Sequence, residues 1–270
     1  MTQLEASTAS KTRLCVVGPS GRMGQQVCQL ALASNELQLT SAVERQGAEA
    51  VKTFVQDSTV RIGDSLAEEF SKAQVYIDFT TPSATRLAAT EAAKHKTAAV
   101  IGTTGLDEAA QHALNELSKV APVFVAANFS PGVSLLLHLA EKAAAALGSD
   151  YDIEVVEMHH RNKVDAPSGT ALALGEALAK GRGLDFETAR QSARDGQVGP
   201  RSANEIGMFA VRGGDIVGEH TALLVGDEER LEITHRAQKR SVFASGALRA
   251  AAWIVKQPPG RYSMSDLLGF

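Results

Sequence analysis

The feature that most restricts this chain is the apolar run Leu14-Cys15-Val16-Val17. It is cut off at once by Gly18-Pro19-Ser20-Gly21-Arg22-Met23-Gly24, and a helix-forming stretch follows from Gln25 to Ser34. A short strand without polar alternation needs cover on both faces, which points to a parallel sheet flanked by helices. Glycines in the turn let the backbone reverse tightly and bring N–H groups close to a pyrophosphate at the helix N-terminus. The spacing Gly-x-x-Gly-x-x-Gly departs from the commoner Gly-x-Gly-x-x-Gly, with Pro19 and Ser20 in the gap. Its position between a strand and a helix, more than the glycines themselves, makes it a dinucleotide signal. Gly18, Pro19, Ser20, Gly21, Arg22 and Met23 are the resulting cofactor candidates.

The alternation continues. Leu39 to Val43 reads as a second strand, ending at Glu44, twenty residues after Gly24, with Arg45 next to it. A carboxylate at this place accepts from the 2′-hydroxyl of an adenine ribose in NADH, while a guanidinium suits the 2′-phosphate of NADPH. Both together predict a site that tolerates either cofactor; the competing reading is a surface ion pair at a strand end. Strands are expected at Gln74–Phe79, Thr97–Ile101 and Pro122–Ala126, with helices from the Thr80–Ser83 loop to His95 and from Asp107 to Lys119. Loops at the carboxyl ends of parallel strands line the ligand crevice. By position, then, Gly102, Thr103 and Thr104, and likewise Ala126, Ala127, Asn128 and Phe129, join the cofactor candidates. His95 and His112 lie on polar helix faces and read as solvated.

After Ser130-Pro131-Gly132 the pattern changes. A helix over Val133–Leu147 precedes Tyr151–Val155, whose alternation marks a strand with one wet face. That strand delivers the chain to Glu157-Met158-His159-His160-Arg161-Asn162-Lys163-Val164-Asp165-Ala166-Pro167-Ser168-Gly169-Thr170, which opens into a helix over Ala171–Lys180. A helix start offers unpaired N–H groups and attracts an anion. Beside His and Lys, it suits a carboxylate substrate that is held and protonated. The alternative is a capped helix behind a solvated basic loop. A strand running through both histidines would turn them to opposite faces, so the chain should leave extended geometry near His159. Gly181–Asn204 reads as a surface excursion. Met208–Arg212, His220–Val225 and Leu231–Arg236, joined by glycine turns, read as an antiparallel meander. Its apolar face, from Leu223-Leu224-Val225 with Leu231 and Ile233, calls for cover by a partner subunit. Structural roles are expected for His220 and His235. Val242–Lys256, with Trp253, forms a closing helix that returns to the first half, and Tyr262–Phe270 is apolar enough to dock.

The expected class is α/β: a Rossmann-like parallel-sheet dinucleotide-binding domain with an inserted α+β substrate and oligomerisation domain on a mixed, largely antiparallel sheet. The boundaries are a disordered tail over 1–12, the dinucleotide domain over 13–130 and 241–270, and the inserted domain over 131–240. With 44% hydrophobic residues, a net charge of −4 and a pI of about 6.0, the chain has no global pull towards nucleic acid or an anionic membrane. The best membrane-span candidate, Val133–Leu147, is interrupted by His138, Glu141 and Lys142. Met1–Thr12 lacks the apolar core of a signal peptide. Two cysteines, Cys15 and Cys28, fit a reducing cytoplasm and read as buried hydrophobes. A semialdehyde dehydrogenase would need a nucleophilic cysteine in the second half, where there is none. A non-catalytic nicotinamide sensor would account for Gly18–Gly24 and Glu44, but not for His159 and Lys163 ahead of a carboxylate-binding helix start.

Gly18-x-x-Gly21-Arg22-Met23-Gly24, Gly102-Thr103-Thr104-Gly105, Asn128-Phe129-Ser130-x-Gly132-Val133, His159-His160-x-x-Lys163-x-Asp165-Ala166-Pro167-Ser168-Gly169-Thr170 and Gly218-Glu219-His220-Thr221 occur in order. Together they resemble the 4-hydroxy-tetrahydrodipicolinate reductase (dihydrodipicolinate reductase) family of the diaminopimelate route to lysine. The likeness runs from about Arg13 to Phe270; Pro131 and Ser134 depart from its pattern, where an aliphatic residue and an Asn are expected. The resemblance implies NAD(P)H-dependent reduction of a small cyclic dicarboxylate with loss of water, and no metal. It further implies His159 as general acid/base, Lys163 as a second acid that attracts the anion, and His160 with the N–H groups of Gly169 and Thr170 as carboxylate ligands. A cytoplasmic homotetramer built through the second-domain sheet is part of the same expectation.

Overall fold

A computed structural model of the chain describes residues 10–45, 60–192 and 194–270. The expected tail falls outside the described residues as far as residue 9, and Thr12 already belongs to the first strand. In chain order the first elements are β1 (Thr12–Val17), α1 (Arg22–Leu32), β2 (Leu37–Val43), β3 (Arg61–Gly63), α2 (Leu66–Phe70), β4 (Val75–Asp78), α3 (Pro82–His95), β5 (Ala98–Ile101), α4 (Glu108–Ser118) and β6 (Pro122–Val125). Then come α5 (Pro131–Leu147), β7 (Asp152–His159), α6 (Gly169–Arg182), α7 (Phe186–Ala189), β8 (Arg190–Gln191), β9 (Ile206–Arg212), β10 (Glu219–Val225) and β11 (Arg230–Arg236). The chain closes with α8 (Ser241–Ile254), β12 (Gly260–Tyr262) and α9 (Met264–Leu268). Two compact units result: one runs to Phe129 and resumes over Phe243–Gly269, the other comprises Ser130–Val242 with Phe270.

The first unit holds a parallel sheet in the order β3-β2-β1-β4-β5-β6-β12. The order reverses between β1 and β4, which opens a crevice at their carboxyl ends. Every residue of β4 and β5 is buried, Asp78 at the end of β4 included, as strands covered on both sides require. The flanking helices start where short polar side chains replace the missing backbone partner. Thr81 accepts from the Ala84 N–H with Pro82 following it, and Asp107 accepts from the Ala110 N–H at 2.8 Å. α8 returns to this unit as expected. Its Ala244, Ala247, Ala250 and Ala251 pack into the core that contains Leu14, Val16, Phe124 and Phe129. Cys15 and Cys28 are fully buried, and desolvation pushes both thiols up to about 12, so neither is a nucleophile. β3, α2 and β12 are additions to the sequence reading; the two strands are three residues each, too short to leave a periodic signature.

The second unit is a mixed sheet ordered β11-β10-β7-β9-β8. The expected meander over β9, β10 and β11 is incorrect in one respect: β7 lies between β9 and β10. β7 pairs parallel with β9 and antiparallel with β10. The reason is the link from Arg212 to Glu219. It has six intervening residues, enough to cross a strand, whereas a tight hairpin uses two. That link passes over the end of β7, where the His160 N–H donates to the Ile216 carbonyl and the Gly213 N–H to the His159 carbonyl. The expected apolar face divides in two. Leu224 is fully buried in a core with Leu136 and Ala140 of α5 and Leu174 and Leu178 of α6, and Ile233 packs on it, so this chain's own helices cover that side, while Leu223 and Val225 alternate to the opposite side and Leu231 is exposed. Nor is Gly181–Asn204 a free excursion: it contains α7 and β8. Arg194 forms two bonds to the Glu154 carboxylate, at 2.7 and 3.0 Å, while Arg201 reaches Asp152 at 2.7 Å. Among the described residues no helix is long and apolar enough to cross a membrane.

Candidate active site

In the first unit a cavity of about 460 Å³ opens at the carboxyl ends of β1, β2 and β4, lined among others by Gly18, Ser20, Gly21, Glu44, Arg45, Phe79, Thr80 and Thr81. Its floor is the glycine turn. Gly18 has φ of +72°, a left-handed conformation, and a Cβ there would meet Thr80 Cγ2 at 2.4 Å. Glu44 leans onto the same turn: its Oε2 accepts from the Ser20 N–H at 3.1 Å and from the Ser20 hydroxyl, and its Oε1 from the Arg45 N–H at 3.0 Å. The expected pair Glu44 and Arg45 therefore lines the crevice beside the turn. Its volume lies within the ordinary range of small-ligand pockets. With a glycine cradle, a helix start and a carboxylate beside a guanidinium, it fits a dinucleotide.

Not every candidate by position faces this cavity. Thr103 is 5% exposed, and its hydroxyl accepts from the Thr80 N–H at 3.1 Å and lies 2.9 Å from the Thr85 hydroxyl, all around the fully buried Asp78. Asp78 takes further bonds from the Thr80 and Thr85 hydroxyls at 2.6 and 2.7 Å. Desolvation raises its pKa and these bonds work against the rise. Thr103 thus braces the loops after β4 and β5 with its side chain turned inward. Gly102 gives room to the Phe79 ring, which a Cβ would approach to 2.0 Å. Phe129 is 1% exposed, stacked 5.7 Å from Phe124 and edge-on 5.4 Å from Phe79, so its ring belongs to the core. Thr104 and Ala127 are exposed, and Ala126 and Asn128 half-buried. Thr80 and Thr81, which line the cavity, were legible by the same strand-end argument that selected Gly102.

In the second unit, alternation along β7 sends Ile153, Val155, Glu157 and His159 to one face, and all four are buried. β7 ends at His159, so the departure from extended geometry falls where expected and frees His160 from the strand. Glu157 is 0% exposed; its Oε2 accepts from His159 Nδ1 at 2.6 Å and from Arg212 at 2.8 Å. Its Oε1 accepts from Arg212 at 2.7 Å and from the Ser168 N–H at 3.0 Å. Desolvation acts to raise the Glu157 pKa, but the bonds from Arg212, His159 and Ser168 outweigh it and the net direction is downward. Gly218, from the motif before β10, faces the other ring nitrogen: a Cβ there would stand 2.9 Å from His159 Nε2. Ser168 caps α6 by accepting from the Ala171 N–H at 3.2 Å, and its hydroxyl shares a 3.0 Å bond with His220 Nε2. His220 lies edge-on to His159 with ring centres 5.2 Å apart, and desolvation first, then His159, depresses its pKa to about 4. It stays neutral and anchors the start of α6.

Around this core the basic groups converge. Lys163 Nζ donates to both oxygens of Asp165, at 2.8 and 2.9 Å, so Asp165 holds the lysine as well as shaping the turn. Arg240 donates to His160 Nε2 at 2.9 Å. Desolvation holds the His160 pKa down, followed by Arg240, His159, Lys163 and Arg212. Gly169 and Thr170 form the first turn of α6. His235 shares a 3.3 Å bond with the N-cap hydroxyl of α5, Ser130. Pro131, one of the two departures from the expected pattern, occupies the first turn of α5, where a missing N–H costs little. The other, Ser134, returns its hydroxyl to the Ser130 carbonyl at 3.3 Å. Glu157, Arg212 and Arg240 are the residues that sequence reasoning left without a role. Alternation with His159 marks Glu157, but its partner Arg212 is distant in sequence.

Family models described as dihydrodipicolinate reductase, N-terminus, and dihydrodipicolinate reductase, C-terminus, match residues 12–129 and 132–268. A 4-hydroxy-tetrahydrodipicolinate reductase of Alkalilimnicola ehrlichii is 46% identical over 96% of this chain and 99% of its own. One from Cereibacter sphaeroides is 48% identical over 95% and 97%. Among solved structures, a dipicolinate-bound dihydrodipicolinate reductase from Paenisporosarcina sp. TG-14 aligns with a TM-score of 0.77 at 23% identity, covering 94% of this chain and 98% of that one. A scyllo-inositol dehydrogenase from Lactobacillus casei with bound NAD(H) and scyllo-inositol aligns at 0.59 and 12% identity, over 96% and 93%. At these identities the two structures speak for the fold.

Proposed function

Because the chain belongs to the dihydrodipicolinate reductase family, we propose that it reduces 4-hydroxy-tetrahydrodipicolinate to tetrahydrodipicolinate with NADH or NADPH, in the diaminopimelate route of lysine biosynthesis. The observation that carries the reading is the gathering, at the end of β7, of a buried histidine, a lysine and a capped helix start among converging cations. A sensor needs none of these groups.

The nicotinamide supplies a hydride when bound, and Gly18 to Met23, Glu44 and Arg45 are the residues that would hold the dinucleotide. Ala126, Ala127 and Asn128 would contribute from the loop after β6, and Thr103 by bracing the loops after β4 and β5. Replacing a hydroxyl by hydride with release of water consumes one proton. His159 is positioned to provide it, because Nδ1 is committed to Glu157 and Nε2 is left for the substrate, beside Gly218, where a side chain would collide with the ring. Lys163 adds positive charge and a second acidic proton. His160, Arg240 and the first N–H groups of α6 at Gly169 and Thr170 hold the substrate carboxylates. Residues 13–130 and 241–270 serve as the dinucleotide domain, and 131–240 as the substrate and assembly domain. In the second sheet the face opposite α5 and α6 carries Val156, Met158, Phe209 and Leu223, and we assign it to a homotetramer working in the cytoplasm.

The test is loss of NAD(P)H absorbance when the condensation product of pyruvate and aspartate semialdehyde is supplied. Oxidation with at least one cofactor is expected; none with either would favour a sensor. In the same assay Arg45→Ala should weaken NADPH binding roughly five- to tenfold, since one exposed charged contact is lost, and leave NADH almost unchanged. Equal losses for the two cofactors would remove the phosphate contact from the reading.

A further inference from the structure

We propose that Glu157 and Arg212 are positioning residues for this reduction: one buried ion pair that fixes the ring tautomer of His159 and ties it to the Lys163 loop and to the start of α6. The activity arm of this proposal rests on the reductase reading above; the structural arm does not.

The connections can be followed atom by atom. An ionised carboxylate only accepts hydrogen bonds, so the 2.6 Å contact from His159 Nδ1 to Glu157 Oε2 places the proton on Nδ1. Nε2 is thereby left to exchange protons with the substrate; it lies against Gly218, where a Cβ would stand 2.9 Å from it. The second oxygen of Glu157 takes the Ser168 N–H at 3.0 Å, and Ser168 caps the helix whose start would hold a carboxylate. Arg212 grips both Glu157 oxygens and also donates to the Asp165 carbonyl at 2.8 Å. Asp165 in turn holds the Lys163 ammonium. Proton donor, second cation and anion site thus share one rigid support, drawn from β7, β9 and the loop before α6. A carboxylate with no exposed surface is retained at such a place only if its oxygens are filled. Each of the bonds that fill them ends on a part of the substrate site.

The charged and titratable groups around His159 are Glu157 on its own strand, Arg212 from β9, His220 from β10, and His160, Lys163, Asp165 and Arg240 from the surrounding loops. His220 is neutral above about pH 4. Removing the Glu157 charge alone therefore shifts the balance towards the positive groups.

The experiment uses the full-length chain in four forms: wild type, E157Q, E157L/R212M and R212K. The double variant removes both charges at once, so no unpaired ion is left inside and the fold is retained; circular dichroism verifies this. Nitrogen-15 NMR of the imidazoles should find wild-type His159 in the Nδ1–H form at alkaline pH, and a loss of that preference in E157L/R212M. For E157Q and the double variant kcat should fall about 10- to 100-fold, and in R212K, which keeps the charge but not the fork, KM should rise about tenfold. A folded double variant with the wild-type tautomer, or with the wild-type kcat, would overturn the proposal. Should wild type itself fail to oxidise NAD(P)H, the reductase reading falls, and the tautomer measurement alone still decides the role of Glu157.

Discussion

Replacing His159 with glutamine is expected to lower kcat by about 10²- to 10³-fold, the ordinary contribution of a general acid. Glutamine is nearly as long as the imidazole and can still donate an N–H to Glu157, so the buried carboxylate keeps a partner and the sheet has no reason to unravel. What it lacks is a proton to give at the position of Nε2. KM should change little, since His160, Arg240 and the start of α6 are the groups proposed to hold the carboxylates. Cofactor affinity should not change at all, because the residues proposed to bind the dinucleotide belong to the other unit. Steady-state kinetics with a fluorescence titration of NADPH separates these quantities. Full turnover by the variant would remove His159 from its role. A loss confined to KM would make it a binding residue only.

The parts of the two candidate sites that were legible in the sequence are those whose chemistry is local. Gly18 to Gly24 could be placed because a tight turn between an apolar strand and a helix admits few residue types. The start of α6 was legible for a similar reason, since Ser168 is an N-cap residue immediately ahead of a helical run. The role of Glu157 was not legible. Its spacing from His159 puts the two side chains on one face, but a glutamate at that spacing is most often solvated, and only Arg212 from β9 and the backbone of Ser168 explain its burial. Likewise His220 reads as a lone histidine until β10 pairs beside β7 and brings it to Ser168. The order β9-β7-β10 itself is beyond local reading, because glycine turns announce a reversal without saying which strand will be the neighbour. Phe129 failed in the opposite direction. Its position after β6 nominated it for the crevice, but its ring gains more from Phe124 and Phe79 than a ligand could offer, about 1.5–3 kcal/mol for burial alone.

The glycine turn yields the other large effect. Gly24→Ala adds one methyl group, and at this position a Cβ would stand 2.1 Å from the Gly18 carbonyl oxygen, 2.9 Å from its carbon and 3.0 Å from Pro19 Cα. All three are backbone atoms of the turn, so no flexible side chain can swing aside; α1 must move. Overpacking of this kind costs about 1–3 kcal/mol of stability. The functional loss should be larger than that suggests. The first N–H groups of α1 are the ones that would face a pyrophosphate, and a displacement of about 1 Å in such a site is worth roughly 10²-fold. NADPH affinity is therefore expected to fall by about two orders of magnitude with a modest drop in Tm. Gly21→Ala adds the same methyl group at the cavity wall without displacing α1: its Cβ would meet the Gly18 oxygen at 3.4 Å, an ordinary contact, and its φ is not left-handed. If both variants bound NADPH equally well, the close approach of α1 to Gly18 would have no part in holding the cofactor. If only Gly24→Ala failed, the demand would lie in that single contact and not in glycine content, which would explain why a Gly-x-x-Gly-x-x-Gly turn can do the work of the commoner spacing.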